Sequence, residues 1–348
     1  MKESQPKRPN KNLLRDKKGS LSITALWILA LLSLLATGLM RNVLVGLRLD
    51  GYALRAAQAT WLARAGIYHA IAVLKEDADT DSLRSYDALT ETWAHSPDLF
   101  KRVPCGNGFF EVAYATQAEN IGLKYLYGIC DENRKLNINR IPKEVLMRLP
   151  SMTQEKVAAL LDWRDRDSKT TEGGAENPYY QHLLQPYPCK NADFDFVEEM
   201  ALVRGFSDED VRALAHLVTV HGDGGVNINT ASAEVLAILG LNAKLAKKIA
   251  KVRWGEDGLP FTKDDVVFRN QDDIVTILTK LIKLKPTDQA LLHRLVTTRQ
   301  LGVNSTHFTI HSVGVTMHGQ VRKKISATVH RLNAQEVEIL TWTEQSAQ

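Results

Sequence analysis

Residues 19–40 read GSLSITALWILALLSLLATGLM, an apolar stretch without a charged side chain, and the interpretation of the whole chain depends on it. As a helix, residues 20–40 would be about 31 Å long at ~1.5 Å per residue, which matches the ~30 Å hydrocarbon core of a bilayer. A buried core helix is the alternative, but core helices are seldom apolar on every face over such a length. The stretch therefore predicts a transmembrane helix over residues 20–40.

Basic residues dominate the segment before this stretch. Residues 1–19 contain seven Lys or Arg and two acidic residues. Cytoplasmic flanks of membrane helices carry the excess of Lys and Arg, so the amino end is predicted to stay inside while the remainder is exported. A cleaved secretory signal peptide is the rival interpretation, for which Ala36-Thr37-Gly38 would be the small-residue cleavage site.

The net charge of the chain comes from its first residues. The 348 residues carry a formal charge of +4, of which the first 19 supply 7 − 2 = +5 and the others 4 − 5 = −1. The basic balance therefore does not indicate nucleic-acid binding by the exported part. The three cysteines, Cys105, Cys130 and Cys189, lack CxxC spacing, and in an exported chain two of them could form one disulfide.

A second helical pattern follows the apolar stretch. Leu47, Leu54, Trp61 and Tyr68 recur at seven-residue intervals, and we call them the heptad stripe. This spacing predicts an amphipathic helix that continues to about Lys75 and packs the heptad stripe on the protein's own sheet.

Strand patterns begin after a polar segment. Residues 77–108 are rich in turn formers, which predicts a loop with at most a short helix. Residues 109–115 and 123–130 are aromatic and β-branched and predict a hairpin. Cys105 and Cys130 would lie near the open end of this hairpin, so a disulfide between them is a candidate.

The carboxyl end returns to a strand pattern, with three predicted strands over residues 307–317, 321–331 and 337–342. The histidines of these strands show no metal-ligand spacing. The sequence contains no P-loop, HExxH, GxSxG or CxxC motif, and no base or nucleophile accompanies its acidic residues. We therefore predict that the protein is not an enzyme and has no small-molecule substrate.

Residues 131–300 contain an internal duplication. The segment 136–139 (LNIN) recurs ninety residues later as 226–229 (VNIN), and each copy continues through Glu-Val-Leu into a helical pattern that ends near a tryptophan. Residues suited to helix starts, such as Thr153, predict helix, tight turn and helix in each copy. This arrangement resembles a helix-hairpin-helix element.

Helix-hairpin-helix modules often bind DNA, so a membrane-anchored DNA-uptake protein is the main alternative function. The hairpin at residues 150–152 has no glycine and the one at 240–242 has a single glycine. The segment 131–300 holds 24 Lys or Arg and 25 Asp or Glu, 24 − 25 = −1, whereas a duplex-binding face usually shows a basic excess. We therefore expect no nucleic-acid partner. One local exception is interpreted as a solvated helix face and consists of Lys244, Lys247, Lys248 and Lys251.

The junction before the apolar stretch resembles the prepilin leader of type IV pilins and type II secretion pseudopilins. Lys17-Lys18-Gly19 is followed at once by the apolar residues. In this family prepilin peptidase cuts after the glycine, so the resemblance implies cleavage between Gly19 and Ser20, N-methylation of Ser20 and retention of the helix. Thr24 stands at the fifth mature position, where most pilins have Glu, and the missing Glu is typical of minor pseudopilin K.

A longer resemblance covers most of the chain. Residues 162–167 (DWRDRD), 174–180 (GAENPYY) and 202–205 (LVRG), together with the paired Asn-Ile-Asn segments, resemble pseudopilin K of type II secretion systems, the general secretion pathway protein K family. The resemblance implies an α+β, pilin-like fold, in which a long N-terminal helix packs on an antiparallel sheet. It also implies a large inserted all-helical domain with the duplicated helix-hairpin-helix-like element.

The resemblance implies that the chain has four parts. Residues 1–19 are a prepilin leader, 20–40 the transmembrane helix, 41–130 plus 301–348 the pilin-like domain and 131–300 the inserted helical domain.

The implied function is that of a minor pseudopilin at the tip of a periplasmic pseudopilus, which initiates or caps assembly and helps protein export. The protein would cross the bacterial inner membrane once, with the amino end cytoplasmic and the main domain periplasmic. Its partners would be other minor pseudopilins, which meet its helix and sheet, and prepilin peptidase. A type IV pilus tip subunit is a further alternative.

An acidic segment follows the helical pattern of the first repeat, and it predicts a metal site. Asp165, Asp167 and Glu176 stand at positions one, three and twelve of a calcium loop, with Glu172 as a weaker fourth ligand. Lys at position five and Thr at position six exclude an EF-hand, and a solvated acidic loop is the alternative. The resemblance to pseudopilin K implies that this domain binds Ca²⁺.

Overall fold

The computed structural model describes residues 16–78, 86–115, 125–258, 260–262, 264–317 and 321–346. The chain forms two compact units, Met1–Gln58 and Ala59–Gln348. The helices are α1 (Asp16–Asp77), α2 (Pro97–Phe100), α3 (Lys143–Leu146), α4 (Gln154–Arg164), α5 (Asn177–Gln181), α6 (Asp208–Leu214), α7 (Ala233–Ile238), α8 (Ala243–Val252), α9 (Ile274–Ile282) and α10 (Pro286–Thr297). The strands are β1 (Val103–Cys105), β2 (Gly108–Val112), β3 (Tyr114–Ala115), β4 (Tyr125–Leu126), β5 (Cys130–Asp131), β6 (Leu136–Asn137), β7 (Val218–Thr219), β8 (Val226–Asn227), β9 (Leu301–Gly302), β10 (His307–Thr316), β11 (Arg322–Arg331) and β12 (Val337–Ser346).

The first unit consists of the amino-terminal part of helix α1. Among the described residues, one helix is long and apolar enough to cross a membrane, and it covers Leu21–Asp77. Its large apolar side chains between residues 21 and 54 are exposed. An apolar surface that no protein atom covers is what a lipid-facing segment requires, which fits the predicted transmembrane helix.

The second unit contains an antiparallel sheet in the order β1-β2-β10-β11-β12, with β5 paired to the other end of β10. The carboxyl-terminal part of α1 packs on one face of this sheet, where residues of β10 alternate between buried and half-buried positions. Phe308 and Ile310 of β10 and Ile67 of α1 belong to the apolar core between them. A long N-terminal helix packed on an antiparallel sheet confirms the predicted α+β, pilin-like fold.

Helix α1 and strand β10 approach each other closely at two glycines. A Cβ atom on Gly314 would lie 2.1 Å from the carbonyl oxygen of Ala59, and a Cβ atom on Gly66 would lie 2.2 Å from Oγ of Ser312. Real Cβ atoms do not come this close, so both positions require glycine for steric reasons.

The prediction that the heptad stripe packs on the sheet is wrong. Trp61 is 65% exposed and Tyr68 61% exposed, and Leu47 and Leu54 are exposed as well. The face of α1 that meets the sheet carries smaller side chains, among them Ala63. Small residues stand on this face where the glycine contacts bring the two backbones together, and aliphatic residues such as Ile67 fill the core beside them.

The predicted hairpin is only partly present. Its two halves pair over two residues, Tyr114 with Leu126 and Ala115 with Tyr125, and residues 116–124 lie outside the described residues. Strand β2 instead pairs with β10, which comes about two hundred residues later. The three carboxyl-terminal strands β10, β11 and β12 pair in sequence order, as predicted.

The predicted disulfide between Cys105 and Cys130 is not formed, and all three cysteines are free thiols. Cys105 pairs with Gly108, which lies opposite Thr316 of β10, whereas Cys130 lies opposite Thr309. Seven residues of β10 separate these two levels, which corresponds to about 23 Å along the strand. A disulfide requires Cα atoms within about 7 Å, so the sheet register excludes the bridge.

The insertion between β5 and β10 has its own apolar core, which extends from Leu136 to Val303. It contains α3 to α10 and, in addition, two short parallel strand pairs, β6 with β7 and β8 with β9. The prediction of an all-helical insertion is therefore corrected: each Asn-Ile-Asn segment begins as a strand. Each of these strands pairs with a segment near the end of its own repeat, a partner too distant in sequence for pattern analysis to identify.

Candidate functional site

The described residues offer three candidate sites: the exposed face of α1, the acidic loop after α4, and a buried polar junction between the sheet and the insertion. The exposed face carries the heptad stripe. In its second half, the guanidinium of Arg64 lies 4.9 Å from the ring centroid of Trp61 and its Nη2 donates to Glu344 of β12 at 2.7 Å. Tyr68 lies next to Trp342, with ring centroids 6.5 Å apart. Exposed large apolar side chains in such a stripe are typical of an interaction surface.

The acidic loop begins where α4 ends. Asp165 caps the carboxyl end of α4, and its Oδ1 accepts the backbone N–H of Asp167 at 3.1 Å. Asp167 Oδ1 in turn accepts the N–H of Lys169 at 2.7 Å, and Glu172 is exposed at the turn that follows. Glu176 is buried at the start of α5, where its Oε2 accepts the N–H of Asn177 at 3.3 Å.

Asp162, which is not among the predicted ligands, binds the backbone of the loop from its buried side. It is fully buried on α4, and its two carboxylate oxygens accept the N–H of Thr171 at 3.2 and 3.1 Å. A Cβ atom on Gly174 would lie 2.1 Å from Asp162 Oδ2, so the Gly-Ala-Glu segment passes directly over this carboxylate. The periodicity of α4 could have indicated Asp162, because it falls on the buried face.

Two buried oxygens of this loop have no hydrogen-bond partner. They are Glu176 Oε1 and Asn191 Oδ1. The nearby Cys189 thiol, a weak donor, contacts the carbonyl of Asp162 at 3.8 Å instead. Burial raises the pKa of Glu176, and the carboxylates of Asp162 and Asp165 raise it further. Unpaired oxygen ligands beside carboxylates of raised pKa are the donor set that a hard divalent cation takes.

The predicted ligands do not converge on one point. In the described part of the chain, no three of Asp165, Asp167, Glu172 and Glu176 bring oxygens within 4.8 Å of one another. The loop therefore has suitable chemistry for Ca²⁺ without a preformed cage, and Ca²⁺ binding remains a prediction.

The closest group of carboxylates lies elsewhere and was not predicted. Asp77, Asp87 and Glu91, which we call the carboxylate cluster, bring oxygens within 4.8 Å of one another. Arg331 of β11 donates to Asp77 at 3.1 Å and to Asp87. Burial raises the pKa of Asp77 to about 6 and, together with Asp77, raises that of Glu91 to about 8. Because a guanidinium already occupies it, this cluster is an ion-pair junction at the end of α1.

The duplication has a three-dimensional counterpart in matched hydrogen bonds. Asn139 exchanges two hydrogen bonds with the backbone of Phe194, at 3.0 and 2.8 Å, and Asn229 does the same with Phe268, at 2.9 and 2.9 Å. An arginine donates to the central isoleucine carbonyl in each copy: the half-buried Arg164 to Ile138 and the buried Arg253 to Ile228.

The asparagines of the two copies bind loop backbone, and other residues stand at the starts of the helices that follow them. Pro142 precedes α3, and the hydroxyl of Ser232 caps α7 at the N–H of Val235. Thr153 caps α4 as predicted. The side chain of Asn139 is occupied by Phe194, and the Thr230 hydroxyl donates to Asp131 Oδ2 at 2.5 Å.

The four lysines of α8 are exposed, opposite the buried Leu245, Ala246 and Ile249. This arrangement is the solvated helix face that the sequence analysis predicted. Exposed lysines on one helix face do not by themselves indicate a phosphate-binding site.

Three comparisons with known proteins point to one family. Residues 137–223 match the family model for type II secretion system (T2SS), protein K. The type II secretion system protein K of Pseudomonas aeruginosa is 27% identical over 282 residues, which cover 77% of this chain and 78% of that protein. A chain of the GspK–GspI–GspJ complex from the type 2 secretion system of enterotoxigenic Escherichia coli has a similar fold, with a TM-score of 0.65 and 17% identity over 86% of this chain and 99% of that one.

Proposed function

We propose that the chain belongs to the protein K family of type II secretion systems and is a minor pseudopilin at the tip of the periplasmic pseudopilus, where it initiates or caps assembly; the matches to the family model and to the Pseudomonas aeruginosa protein support this proposal. The observation that carries this proposal is that an exposed apolar helix belongs to the same chain as an insertion that matches the protein K family model. On this proposal the protein is a structural component without catalytic activity, anchored once in the inner membrane, and it supports protein export.

The tip position is supported by Thr24. In pilins the glutamate at this position is thought to pair with the amino terminus of a neighbouring subunit inside the apolar bundle, where an unpaired charge is costly. The Thr24 hydroxyl instead donates to the carbonyl of Leu21 at 3.0 Å, within its own helix. A subunit with Thr24 cannot offer a carboxylate to a neighbour, which suits a first or capping position.

The partners on this proposal are other minor pseudopilins that pack along the heptad stripe. The structural relative comes from a complex with GspI and GspJ, and an equivalent assembly is proposed for this chain. Trp61→Ala and Tyr68→Ala should reduce co-purification with candidate minor pseudopilins about tenfold or more, because large exposed aromatic side chains dominate such contacts. Lys143→Ala, an exposed substitution on the insertion, is the matched control. Unchanged co-purification of both aromatic variants would rule out this face.

The anchor can be tested on the membrane-extracted protein. We expect its amino terminus to be N-methylated Ser20, produced by prepilin peptidase after Gly19. Both residues lie near the start of α1. A mature chain that begins downstream of Met40 would contradict the retained anchor and favour a signal peptide.

Two alternative functions have their own tests. The DNA-uptake alternative predicts a mobility shift of duplex DNA by the full chain in detergent. The type IV pilus alternative predicts loss of pili rather than of secretion when the gene is deleted.

Ca²⁺ binding by the acidic loop is part of the proposal. Asp165, Asp167 and Glu176 would hold the ion together with Asn191, and Glu172 would be a weaker contributor. The ion would neutralise the carboxylates that hold it and order a segment with little apolar content. Addition of Ca²⁺ to the full chain should raise its melting temperature and protect residues 165–176 from proteolysis.

The matched variants for this experiment are Glu176→Gln, which should abolish both effects, and Glu144→Gln on the exposed face of α3, which should retain them. A Ca²⁺ titration that leaves melting temperature and protease resistance of the wild type unchanged would remove the proposed ion.

A further inference from the structure

Three histidine rings from distant parts of the second unit are stacked on one another. His307 and His330 are direct partners across β10 and β11, with ring centroids 4.2 Å apart and planes inclined by 11°. His221, which follows β7, stacks on His307 with centroids 6.1 Å apart and planes inclined by 14°. We call these three rings the histidine stack. It joins the insertion, through His221, to the sheet.

His221 occupies the connection between the two repeats. Residues 220–225 link β7, which closes the first repeat, to β8, which opens the second. Asn137 Nδ2 donates to the carbonyls of His221 and Gly222 at 3.0 and 2.7 Å, so the first repeat holds this connection from one side. From the sheet side, His307 contacts this connection through the ring of His221.

The charged groups around the stack come from several elements, and one of them, Glu132, is already paired. Glu132 precedes β6 and forms an ion pair with Lys135 at 3.1 Å, while Thr309 donates to it at 2.8 Å. Asp223 lies in the same connection as His221. Four other charged or titratable groups belong to the neighbouring strands and segments: Glu338 opposite His330 on β12, His311 on β10, Lys324 on β11 and Arg134 before β6.

Burial decides the protonation of the stack. It lowers the pKa of His221. Burial, with the imidazoles of His330 and His221 as further causes, lowers the pKa of His307 to about 4, although Asp223 and Glu132 act in the opposite direction. Two imidazolium ions in the stack would place like charges on neighbouring rings about 4–6 Å apart, which is unfavourable at any dielectric constant of a protein interior.

We propose that the histidine stack is a pH-sensitive contact, which holds the connection between the two repeats against the sheet at neutral pH and releases it in acid. In the unfolded chain an imidazole has a pKa near 6.5, above the pKa of His307 and of His221 in the stack. The folded form therefore binds fewer protons, and the stabilising contribution of the stack is complete above about pH 6.5 and lost as the pH falls towards 4.

A metal ion explains the geometry less well. The ring planes are nearly parallel, and no three ligand atoms of the stack lie within 4.8 Å of one another in the described part of the chain. An imidazole in the stack can take up a proton, in contrast, with the rings in the positions observed.

The test uses the full chain in detergent micelles, with the imidazole Cε1 positions labelled with carbon-13. We expect the NMR resonance of His307 to titrate below pH 6 and the pKa of His221 to lie below that of a free imidazole. In the same pH range the backbone amide signals of residues 220–225 should shift or broaden. His307→Phe keeps a stacked ring and removes its proton site, so the part of the amide response that follows the titration of His307 should be lost.

Thermal unfolding provides the second readout. Between pH 7.5 and 5.0 the melting temperature of the wild type should fall by roughly 4–8 °C more than that of His307→Phe. The comparison cancels the titration of the carboxylates, which both proteins share. His293→Gln, an exposed histidine on α10, is the control and should follow the wild type.

Two outcomes would overturn the proposal. One is titration of His307 at its ordinary value near 6.5. The other is an equal loss of melting temperature in the wild type and His307→Phe. If His307→Phe does not fold, His221→Phe replaces it in both measurements with the same expectations.

Discussion

Asn139 and Asn229 show what single polar residues do in this fold. Each is nearly fully buried, and each satisfies both polar groups of a peptide unit far away in sequence, at Phe194 and Phe268. A loop that crosses a core must find partners for its backbone groups, and a carboxamide offers one donor and one acceptor in the required arrangement. The repeated Asn-Ile-Asn motif is therefore a structural device of the insertion.

Asn139→Ala and Asn229→Ala should each lower the free energy of unfolding by about 2–4 kcal/mol, because each leaves a buried N–H and a buried carbonyl without a partner. Chemical denaturation of the full chain in detergent measures this. Asn304→Ala, at an exposed position, should change it by no more than about 0.5 kcal/mol. Losses below about 1 kcal/mol at both buried positions would show that water replaces the asparagine.

The sequence predicted the motif and its repetition but not the partners of these residues. Periodicity identifies which residues share a helix face, whereas the pairs of Asn139 with Phe194 and of Arg164 with Ile138 join residues 55 and 26 positions apart. Such pairs depend on how loops cross the core, which no local pattern records.

At the scale of elements, helix α1 has two different faces within one turn. Leu62 is 6% exposed and packs towards β2, and its neighbour Trp61 points away from the sheet. The heptad pattern was correctly identified as one face, but its assignment to the sheet was wrong. The contacts at Gly66 and Gly314 bring one face of α1 close to the sheet, while Trp61 and Tyr68 stay exposed.

Leu62→Ala should destabilise the protein by about 2–5 kcal/mol, because it removes a buried side chain from the contact between helix and sheet. Trp61→Ala should cost at most about 1 kcal/mol, mainly through loss of the cation–π contact with Arg64. Melting curves of the two variants measure the difference. Equal destabilisation by both changes would contradict the orientation of α1 on the sheet.

At the scale of the whole molecule, the buried polar junction joins the end of α1, the sheet and the insertion. Arg331 of β11 holds Asp77 and Asp87. Asp87 accepts the N–H of Ser305 at 2.6 Å, and the hydroxyl of Ser305 donates to Asp131 at 2.7 Å. Burial raises the pKa of Asp131 to about 7, which the hydrogen bonds from Thr230 and Ser305 partly oppose.

Arg331→Met should destabilise the protein by about 3–5 kcal/mol at pH 7.5, because it leaves buried carboxylates without a counter-charge. The raised pKa of Asp77, about 6, means that the folded form binds this proton more readily than the unfolded form. Stability of the variant should therefore recover as the pH falls through 6, and the loss relative to wild type should be smaller at pH 5. Denaturation at the two pH values measures this, with exposed Arg322→Met as control. A loss that does not depend on pH would show that Arg331 acts through packing alone.

The sequence by itself determined the apolar helix, the strands at the carboxyl end and the duplication, because each depends on residues close together in the chain. Only the tertiary structure decided which face of α1 meets the sheet, that Cys105 and Cys130 lie too far apart to bond, and that His221, His307 and His330 stack. These features follow from strand register and from the distance between packed backbones. Both are set by contacts between residues far apart in sequence, so the order of residues alone does not reveal them.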